Sequence, residues 1–303
     1  MRWLITGGNG FLGFSVADYL AQAGNSVAGL TRRAQLPDWF RRLEYPSSIE
    51  ALADVIRVEH PDCILHAAGA ASVGDSWGAP AHDFIDSVVA WQALLEATRL
   101  SELKPKLFLP SSAAVFGDPD RLPVAENASR RPISPYGFHK LVCEQLAEEY
   151  AVLWEMPVVI CRLFSVFGPR QRRLLVWELV EQIFSDDPMI RLQGTGLEER
   201  DYLAASDIAK ALDSLAKRQS SNSLQTFNFG SGTSLRVVDL IEVLQRLARV
   251  HKPVVRGRSA RHGDPLHWRA DNRRLREALP TWRPRPIEQG LAECLAAWKA
   301  DAF

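Results

Sequence analysis

The sequence has few cysteines, no excess of charge and no long hydrophobic run. Of its 303 residues, 36 are Lys or Arg and 36 are Asp or Glu, so the formal net charge at pH 7 is zero. A chain without a basic field has little attraction for a nucleic-acid backbone or an anionic membrane surface. No apolar run reaches the roughly 20 residues that a membrane-spanning helix needs. We therefore expect neither nucleic acid nor membrane as a partner, and a small ligand held by a few placed residues.

The four cysteines, Cys63, Cys143, Cys161 and Cys294, are far apart in the chain. None belongs to a CxxC pair or to a His/Cys cluster with the spacing of metal ligands, so we expect no disulfide framework and no metal site. Cysteines inside apolar runs are typical of buried thiols in a reducing compartment. The N-terminus MRWLITGGNGFLG lacks the apolar region and cleavage site of a secretory signal. These features predict a cytoplasmic protein.

Apolar segments of strand length alternate with amphipathic segments of helix length in the first half of the chain. The strand candidates are Trp3–Thr6, Ser26–Leu30, Cys63–Ala67, Leu107–Ser111 and Val158–Phe164. The helix candidates are Leu12–Ala23, Ile49–Glu59, Phe84–Leu100 and Tyr136–Trp154. Continuous apolar strands separated by helices predict an α/β fold, with a doubly wound parallel sheet covered on both faces.

The regular alternation ends near Phe164. Gly-, Pro- and Arg-rich connections such as GPRQRR and GSGTSLR then separate short helices, which indicates a smaller lobe built of insertions. We expect a first domain over residues 1–164 and a predominantly substrate-binding lobe over residues 165–303, with some segments returning to the first domain. The two lobes should share a crevice.

A glycine-rich turn, Gly7-x-x-Gly10-x-x-Gly13, follows the first strand and opens the first helix. Gly7 allows a tight turn, Gly10 lets the backbone approach a pyrophosphate, and Gly13 lets helix and strand pack closely. The free N–H groups and the positive dipole end of the helix favour an anion at this point. The pattern predicts a dinucleotide site.

The second strand runs into Thr31-Arg32-Arg33, without the Asp or Glu that usually binds the ribose hydroxyls of NAD. Arg32 or Arg33 can instead hold a 2′-phosphate through a fork of N–H donors, which favours NADP(H) over NAD(H). The alternative is a solvated arginine pair at the end of a strand.

Candidate catalytic residues follow the fourth strand. Ser112 ends the run LPSS, and Tyr136 stands four residues before Lys140 in YGFHK. The spacing places the phenol and the ammonium on one helix face. A nearby ammonium favours the phenolate, so Tyr136 can exchange a proton with a substrate hydroxyl near neutral pH. Ser112 would hydrogen-bond the same oxygen.

Taken together, these motifs resemble the extended short-chain dehydrogenase/reductases, in particular the NAD-dependent epimerase/dehydratase family of nucleotide-sugar enzymes. The resemblance covers nearly the whole chain and rests on ITGGNGFLG, PDCILHAAG, LPSSAAVFG, SPYGFHK, CRLFSVFGPRQ, GTGLEERDYLAASDIAKAL, FNFGSG and RHGDP. It implies a Rossmann-type domain with a smaller C-terminal α/β substrate lobe. It also implies a homodimer, in which the helices Phe84–Leu100 and Tyr136–Trp154 pair with their copies in a four-helix interface.

The resemblance assigns roles to individual residues. Tyr136 becomes the general acid/base, Lys140 its partner and a ligand of the nicotinamide ribose, and Ser112 the hydroxyl that positions the substrate. Other residues implied in cofactor binding are Gly7, Gly10, Phe11, Leu12, Gly13, Thr31, Arg32, Arg33, His66, Ala67, Ala68 and Ser111. Those implied in substrate binding are Ser72, Ser112, Ala113, Ser165, Arg200 and Arg261.

Two arginines match positions at which the family clamps a nucleotide diphosphate. The alternative for Arg200 is an ion pair with Asp201 or Asp207, and the alternative for Arg261 is a surface position beside Asp264. A third residue, Trp177, either covers the nucleotide base or belongs to the core.

Several positions depart from the family pattern. Ala113 and Ala114 stand where 4,6-dehydratases carry acidic residues, so elimination lacks its acid and base. Ala114 also occupies the position of a cysteine needed for 3,5-epimerisation in GDP-fucose synthases. Ser165 replaces a usual Asn, and Phe116 a usual Tyr. With dehydration and 3,5-epimerisation disfavoured, the reaction that remains is hydride exchange at one sugar carbon.

The resemblance therefore implies an NAD(P)-dependent enzyme that moves hydride at C4 of a nucleotide-diphosphate sugar, either a 4-epimerase or an NADPH-dependent 4-keto-sugar reductase. Two alternatives stay open. One is a reductase of a non-sugar carbonyl, and the other is a non-catalytic protein that senses NADP.

Overall fold

The apolar segments of the first half form parallel strands in the computed structural model, which describes residues 1–31, 37, 39–259 and 265–302. The strands are β1 Arg2–Thr6, β2 Ser26–Leu30, β3 Arg41–Leu43, β4 Cys63–His66, β5 Lys106–Ser112, β6 Val158–Leu163, β7 Ser165–Phe167, β8 Ile190–Arg191, β9 Glu199–Ala204, β10 Leu224–Phe229, β11 Ser234–Arg236 and β12 Val254–Val255. The helices are α1 Phe11–Gln22, α2 Ile49–Glu59, α3 Val73–Gly78, α4 Pro80–Phe84, α5 Ala90–Leu100, α6 Pro135–Leu153, α7 Leu175–Phe184, α8 Ala205–Lys217, α9 Val237–Ala248, α10 Arg273–Ala278 and α11 Ile287–Ala302.

Seven parallel strands form the main sheet, in the order β10-β6-β5-β4-β1-β2-β3. The chain winds outward from β1 to β3, then crosses back to β4 and continues on the other side. Ligands of such open sheets bind where this reversal leaves a crevice at the carboxyl ends of the strands. The reversal lies between β1 and β4, directly after which come the glycine-rich turn and residues Ala67 and Ala68. The Rossmann-type prediction is confirmed.

Both faces of the main sheet are covered, because successive side chains on a strand point to opposite faces. Trp3 and Ile5 pack into one core with α1 and α8. Leu4, between them, packs into the second core with α2, α5 and α6. All three side chains are fully buried, and burial of each contributes about 1.5–3 kcal/mol relative to exposure.

The smaller lobe combines a three-stranded sheet, in the order β11-β9-β7, with the two-stranded pair β12-β8. A separate apolar core joins α7, α9 and α11 to β7 and β9. Between the lobes the chain crosses back, since β10 pairs with β6 along its whole length and α8 packs on the first core.

One predicted helix differs from the structure. We expected a single helix over Phe84–Leu100, but the helical run begins at Pro80 and contains a π-helical turn over Ile85–Val89. Pro80 occupies the first helical position, where its missing N–H costs no hydrogen bond.

The four cysteines are free and buried. Burial raises the pKa of the Cys63 thiol to about 12 and that of Cys143 to about 11, so neither forms a reactive thiolate near neutral pH. In the described part of the chain, no helix combines the length and the apolar character needed to cross a membrane.

Candidate active site

The glycine-rich turn forms a cradle that only glycine fits. Gly7 has a φ of +66°, and a Cβ there would lie 2.6 Å from the amide nitrogen of Ala68. A Cβ on Gly13 would lie 2.4 Å from the carbonyl oxygen of Gly7. Gly10 precedes α1 and offers no side-chain cap, so the first N–H groups of the helix face outward without an intrahelical acceptor. This cradle fits the diphosphate of a dinucleotide.

A buried hydrogen-bond clip joins β1 to β4 behind this cradle. The Thr6 hydroxyl accepts the Ala68 N–H at 3.3 Å, and it lies 2.9 Å from Nδ1 of His66. His66 is only 4% exposed, and burial, together with the charge of Lys140, lowers its pKa to about 3. The imidazole is therefore neutral at physiological pH. Through the Thr6 hydroxyl, the His66 side chain is joined to the turn that carries Ala67 and Ala68.

Ser112 lies at the end of β5, where the chain enters a 3-10 turn over Ala113–Phe116. Its hydroxyl oxygen accepts the Ala114 N–H at 3.1 Å, which fixes the side chain at the mouth of the turn. A Cβ on Gly137 would lie 2.6 Å from the Ala114 carbonyl oxygen. The missing side chain at Gly137 thus lets the first turn of α6 rest against the turn that follows Ser112.

Helix α6 presents Tyr136 and Lys140 on one face. The helix starts at Pro135, one residue before the predicted start at Tyr136. The Ser134 hydroxyl caps it by accepting the Gly137 N–H at 3.2 Å, and proline is favoured at the first helical position. The Lys140 ammonium lies 5.6 Å from the centroid of the Tyr136 ring and donates to the Pro110 carbonyl oxygen at 3.2 Å. The structure therefore brings the three predicted catalytic residues to one end of β5.

A buried ion pair that the sequence analysis missed lies one turn further along α6. Arg162 donates from Nε and Nη2 to the Glu144 carboxylate at 2.9 and 2.8 Å. The Ser111 hydroxyl donates to the same carboxylate at 2.6 Å. Arg162 also donates to the Glu126 carbonyl oxygen at 2.6 Å and stacks on Phe116, 4.9 Å from its ring centroid. The signal was a single Arg in the apolar strand VVICRL, because a buried charge requires a partner.

Arg200 lies where the second lobe meets the turn after Ser112. Its guanidinium donates to the carbonyl oxygens of Glu199 and Leu266 at 2.9 and 3.4 Å, and lies 5.4 Å from the ring centroid of Trp268. The Trp268 indole in turn donates to the Gly117 carbonyl oxygen at 3.1 Å. Trp268 thus connects Arg200 to the catalytic end of β5.

The two acids considered as partners of Arg200 have other roles. Asp201 is fully buried and accepts hydrogen bonds from Ser231, Gly232 and Ala270. Asp207 accepts from the Arg285 side chain at 3.1 Å and from its backbone N–H at 3.0 Å. These carboxylates therefore hold loops of the second lobe together.

The remaining predicted residues lie on several elements of both lobes. Phe11 and Leu12 start α1, Thr31 is buried directly after β2, and Ser165 begins β7. The Ser72 hydroxyl caps α3 by accepting the Asp75 N–H at 3.2 Å. The Ala113 side chain is fully buried in an apolar cluster. Arg32, Arg33 and Arg261 lie outside the described residues.

Trp177 belongs to the core of the second lobe. Its side chain is 6% exposed and packs edge-on against Trp298 at 5.1 Å. Of its two expected roles, the structure bears out the core position.

A cavity of about 550 Å³ lies beside the Glu144–Arg162 pair, and its lining includes neither Ser112 nor Tyr136 nor Lys140. Among the described residues, no three His, Cys, Asp or Glu side chains are grouped as metal ligands.

Comparison with known proteins gives a consistent family. The model of the NAD dependent epimerase/dehydratase family matches residues 3–230. A UDP-glucose 4-epimerase of Streptomyces lividans is 28% identical over an alignment of 325 residues, which covers 99% of this chain and 96% of that protein.

Solved structures agree with this match. The structure of MoeE5 in complex with UDP-glucuronic acid and NAD has a TM-score of 0.89 at 27% identity, with 99% of each chain covered. That of TunA, an NAD-dependent NDP-hexosamine 5,6-dehydratase involved in tunicamycin biosynthesis, has a TM-score of 0.86 at 28% identity and covers 99% of this chain and 98% of its own.

Proposed function

Because the chain belongs to the NAD-dependent epimerase/dehydratase family, we propose that it is a 4-epimerase of a UDP-sugar with a resident nicotinamide dinucleotide. The observation that carries this proposal is the placement of Ser112, Tyr136 and Lys140 at the carboxyl end of β5, the same edge of the parallel sheet at which the glycine cradle follows β1. The relatives that are named UDP-glucose 4-epimerases support the choice of reaction.

Each catalytic side chain has a separate task. Tyr136 takes the proton from the sugar 4-hydroxyl as that carbon becomes a ketone, and later returns it. Lys140 stabilises the phenolate by its positive charge, and the Pro110 carbonyl oxygen fixes the position of the ammonium. Ser112 donates a hydrogen bond to the sugar oxygen and orients it. The chemistry that the nicotinamide supplies when bound is reversible hydride exchange with C4 of the sugar.

The turn after Ser112 favours epimerisation over dehydration. Ala113 and Ala114 are 0% and 4% exposed and pack with Val115 and Phe116 in an apolar cluster. Neither alanine carries a group that transfers protons, so this turn offers no acid or base for the removal of water. The dehydratase TunA shares the fold, and we propose that the present chain does not share its elimination step.

The cofactor separates two candidate reactions. The MoeE5 structure contains NAD and TunA is NAD-dependent, which supports a redox-neutral epimerase that keeps NAD. The sequence after β2, Thr31-Arg32-Arg33, has no acid for the ribose hydroxyls and favours NADP(H). An NADPH-dependent 4-keto-sugar reductase is therefore the second candidate.

One experiment distinguishes these reactions. The purified protein is denatured and its released nucleotide identified by mass and absorbance. The native protein is then incubated, without added cofactor, with UDP-glucose, UDP-N-acetylglucosamine and UDP-glucuronic acid, and the products are separated. Stoichiometric NAD and formation of a 4-epimer support the epimerase. An empty protein that binds NADPH more tightly than NADH, and oxidises it with 4-keto nucleotide sugars, supports the reductase instead. Failure of both assays would overturn the proposal.

We propose that Arg200 and Arg261 bind the diphosphate of the substrate. The Arg200 guanidinium lies beside Trp268. Loss of a charge-assisted bidentate contact costs about 1.5–3 kcal/mol. We expect Arg200→Ala to raise KM for the UDP-sugar about 10- to 100-fold with little change in kcat. Arg246→Ala serves as control, since the exposed Arg246 guanidinium lies on α9, 3.8 Å from the Glu288 carboxylate on the surface of the second lobe. An unchanged KM for Arg200→Ala would favour a reductase of a non-sugar carbonyl.

We further propose a homodimer. Phe84, Ile85, Val89 and Phe138 are 40%, 54%, 46% and 54% exposed. The Phe84 ring meets His139 edge-on at 5.3 Å, which places α4 beside α6. An apolar patch of this kind is typical of a protein interface, and two such helix pairs would form a four-helix contact.

A further inference from the structure

The Glu144–Arg162 pair is an unusual feature of the region that carries the chemistry. Glu144 is 1% exposed and Arg162 is 4% exposed. Removing two charges from water costs free energy that their attraction repays only in part, and apolar residues of similar volume often give an equally stable core. The pair is therefore poorly explained by stability alone. Its contacts suggest what else it does.

The carboxylate of Glu144 binds two strands at once. It accepts from Ser111 on β5 at 2.6 Å and from Arg162 on β6 at 2.9 and 2.8 Å. One helical turn earlier, Lys140 donates to the carbonyl oxygen of Pro110, the residue before Ser111. Two successive turns of α6 are thus attached to two successive residues of β5. This arrangement resists both sliding and rotation of the helix.

The same guanidinium also reaches the turn that follows Ser112. Arg162 stacks on Phe116 and donates to the Glu126 carbonyl oxygen. Because successive side chains on a strand point to opposite faces, Ser111 faces α6 while Ser112 faces away. Ser111 therefore anchors β5 to α6, and the Ser112 side chain is available to contact the substrate.

We propose that Ser111, Glu144 and Arg162 are positioning residues that fix the rotation of α6, and with it the distance from Tyr136 to Ser112. This inference rests on the proposed function. Helix backbone atoms lie about 2.3 Å from the axis, and a tyrosine hydroxyl lies several ångströms further out, so a rotation of about 10° moves that hydroxyl by about 1–1.5 Å. A misplacement of about 1 Å can cost about 100-fold in rate.

The first test is Ser111→Ala, which removes one hydrogen bond and leaves the ion pair. The matched control is Ser101→Ala, since Ser101 is equally buried and donates to the Thr98 carbonyl oxygen at 2.7 Å at the end of α5. We expect Ser111→Ala to lower kcat about tenfold or more, with KM and the bound cofactor unchanged. Ser101→Ala should lower the melting temperature similarly and leave kcat unchanged. If Ser111 instead bound the cofactor directly, the occupancy would fall with kcat, and the proposal would be overturned.

A second variant removes the network without leaving a buried charge. In Glu144→Met/Arg162→Met, methionines fill similar volumes, so the protein should fold more stably than Glu144→Met alone. We expect kcat to stay about 100-fold below wild type although stability is recovered. Recovery of kcat together with stability would show a purely structural role and reject the proposal.

An activity-independent measurement separates this proposal from the proposed function. In protein labelled at the tyrosine ζ carbon, the Tyr136 resonance is assigned by its loss in Tyr136→Phe. We expect it to shift in Ser111→Ala and not in Ser101→Ala. Wild-type protein that turns over no nucleotide sugar would overturn the proposed function, whereas an unshifted Tyr136 resonance in Ser111→Ala would overturn the positioning role.

Discussion

Two tyrosines on helix α6 have different surroundings. Tyr136 is half-buried beside Lys140, whereas the Tyr150 hydroxyl donates to the Glu96 carboxylate at 3.0 Å. Burial and this hydrogen bond raise the pKa of Tyr150 to about 12. The two phenols therefore differ in their charged neighbour, which is a carboxylate for Tyr150 and an ammonium for Tyr136.

Replacing each phenol tests this difference. We expect Tyr136→Phe to lower kcat by about 10²- to 10⁴-fold, the usual contribution of a positioned acid/base, with KM and melting temperature nearly unchanged. Tyr150→Phe removes a hydroxyl from the same helix and should retain full turnover. Steady-state kinetics of both variants decides the matter, and equal effects would contradict the role of Tyr136.

The buried imidazole of His66 makes stability depend on pH. Above pH 6.5 neither the folded nor the unfolded chain protonates this residue. As the pH falls below 6.5 the unfolded chain binds a proton, while the folded chain, in which the His66 pKa is about 3, does not. Stability is therefore lost progressively between pH 6.5 and about 3. The free energy of unfolding falls by about 1.4 kcal/mol per pH unit in this range, so it is about 2 kcal/mol lower at pH 5 than at pH 6.5.

Urea unfolding at pH 7 and pH 5 measures this loss. His66→Asn keeps a polar group next to Thr6 without a titratable ring, so its stability should depend less on pH by about that amount. The other six histidines are present in both proteins and cancel in the comparison. Identical pH dependence of the two proteins would show that His66 is not buried in its neutral form.

Among the elements, α1 depends on the absence of a side chain at Gly13. A Cβ there would meet the Gly7 carbonyl oxygen at 2.4 Å, so the helix would have to move away from the turn. We expect Gly13→Ala to destabilise the fold by about 1–3 kcal/mol and to reduce bound dinucleotide. Gly78→Ala on α3 is the matched control, because nothing lies within 4 Å of its added Cβ. Thermal unfolding and cofactor content after denaturation measure both effects, and a Gly13→Ala protein with wild-type occupancy would contradict the cradle.

The elements differ in how well their sequence specifies them. Ser26–Leu30 and Ile49–Glu59 have the predicted bounds, since an apolar run and an amphipathic segment capped by Ser48 are local signals. β3 was missed because Arg41–Leu43 is short and largely exposed. β10 was missed because its assignment depends on pairing with β6, which is remote in the chain. Local patterns do not encode such pairing.

The site shows the same division. The glycine turn and the Tyr136–Lys140 motif each lie within a single short segment of the chain, so the sequence alone identified them. The contacts of Glu144 with Ser111 and Arg162 join three segments, and no spacing within the chain announces them. The connection of Arg200 to Gly117 through Trp268 is likewise visible only once the lobes are assembled.

At the scale of the whole molecule, the patch of Phe84, Ile85, Val89 and Phe138 predicts the oligomeric state. We expect the wild-type protein to sediment as a dimer at micromolar concentration, and Phe138→Arg to sediment as a monomer, because a charge in the centre of an apolar interface is not solvated. Val58→Arg is the control, since Val58 is 81% exposed on α2, outside the patch. A monomeric wild type would contradict the prediction.

The return of β10 to the main sheet also matters during biosynthesis. When β6 leaves the ribosome it can pair with β5 on one side, but its partner on the other side has yet to be made, so that edge of β6 stays open until β10 follows about 60 residues later. At a translation rate of about 5–20 residues per second, the interval lasts about 3 to 12 s. Open strand edges invite pairing with other chains. The nascent first lobe therefore passes through a period of exposure to aggregation, and the pace of translation between β6 and β10 sets how long that period lasts.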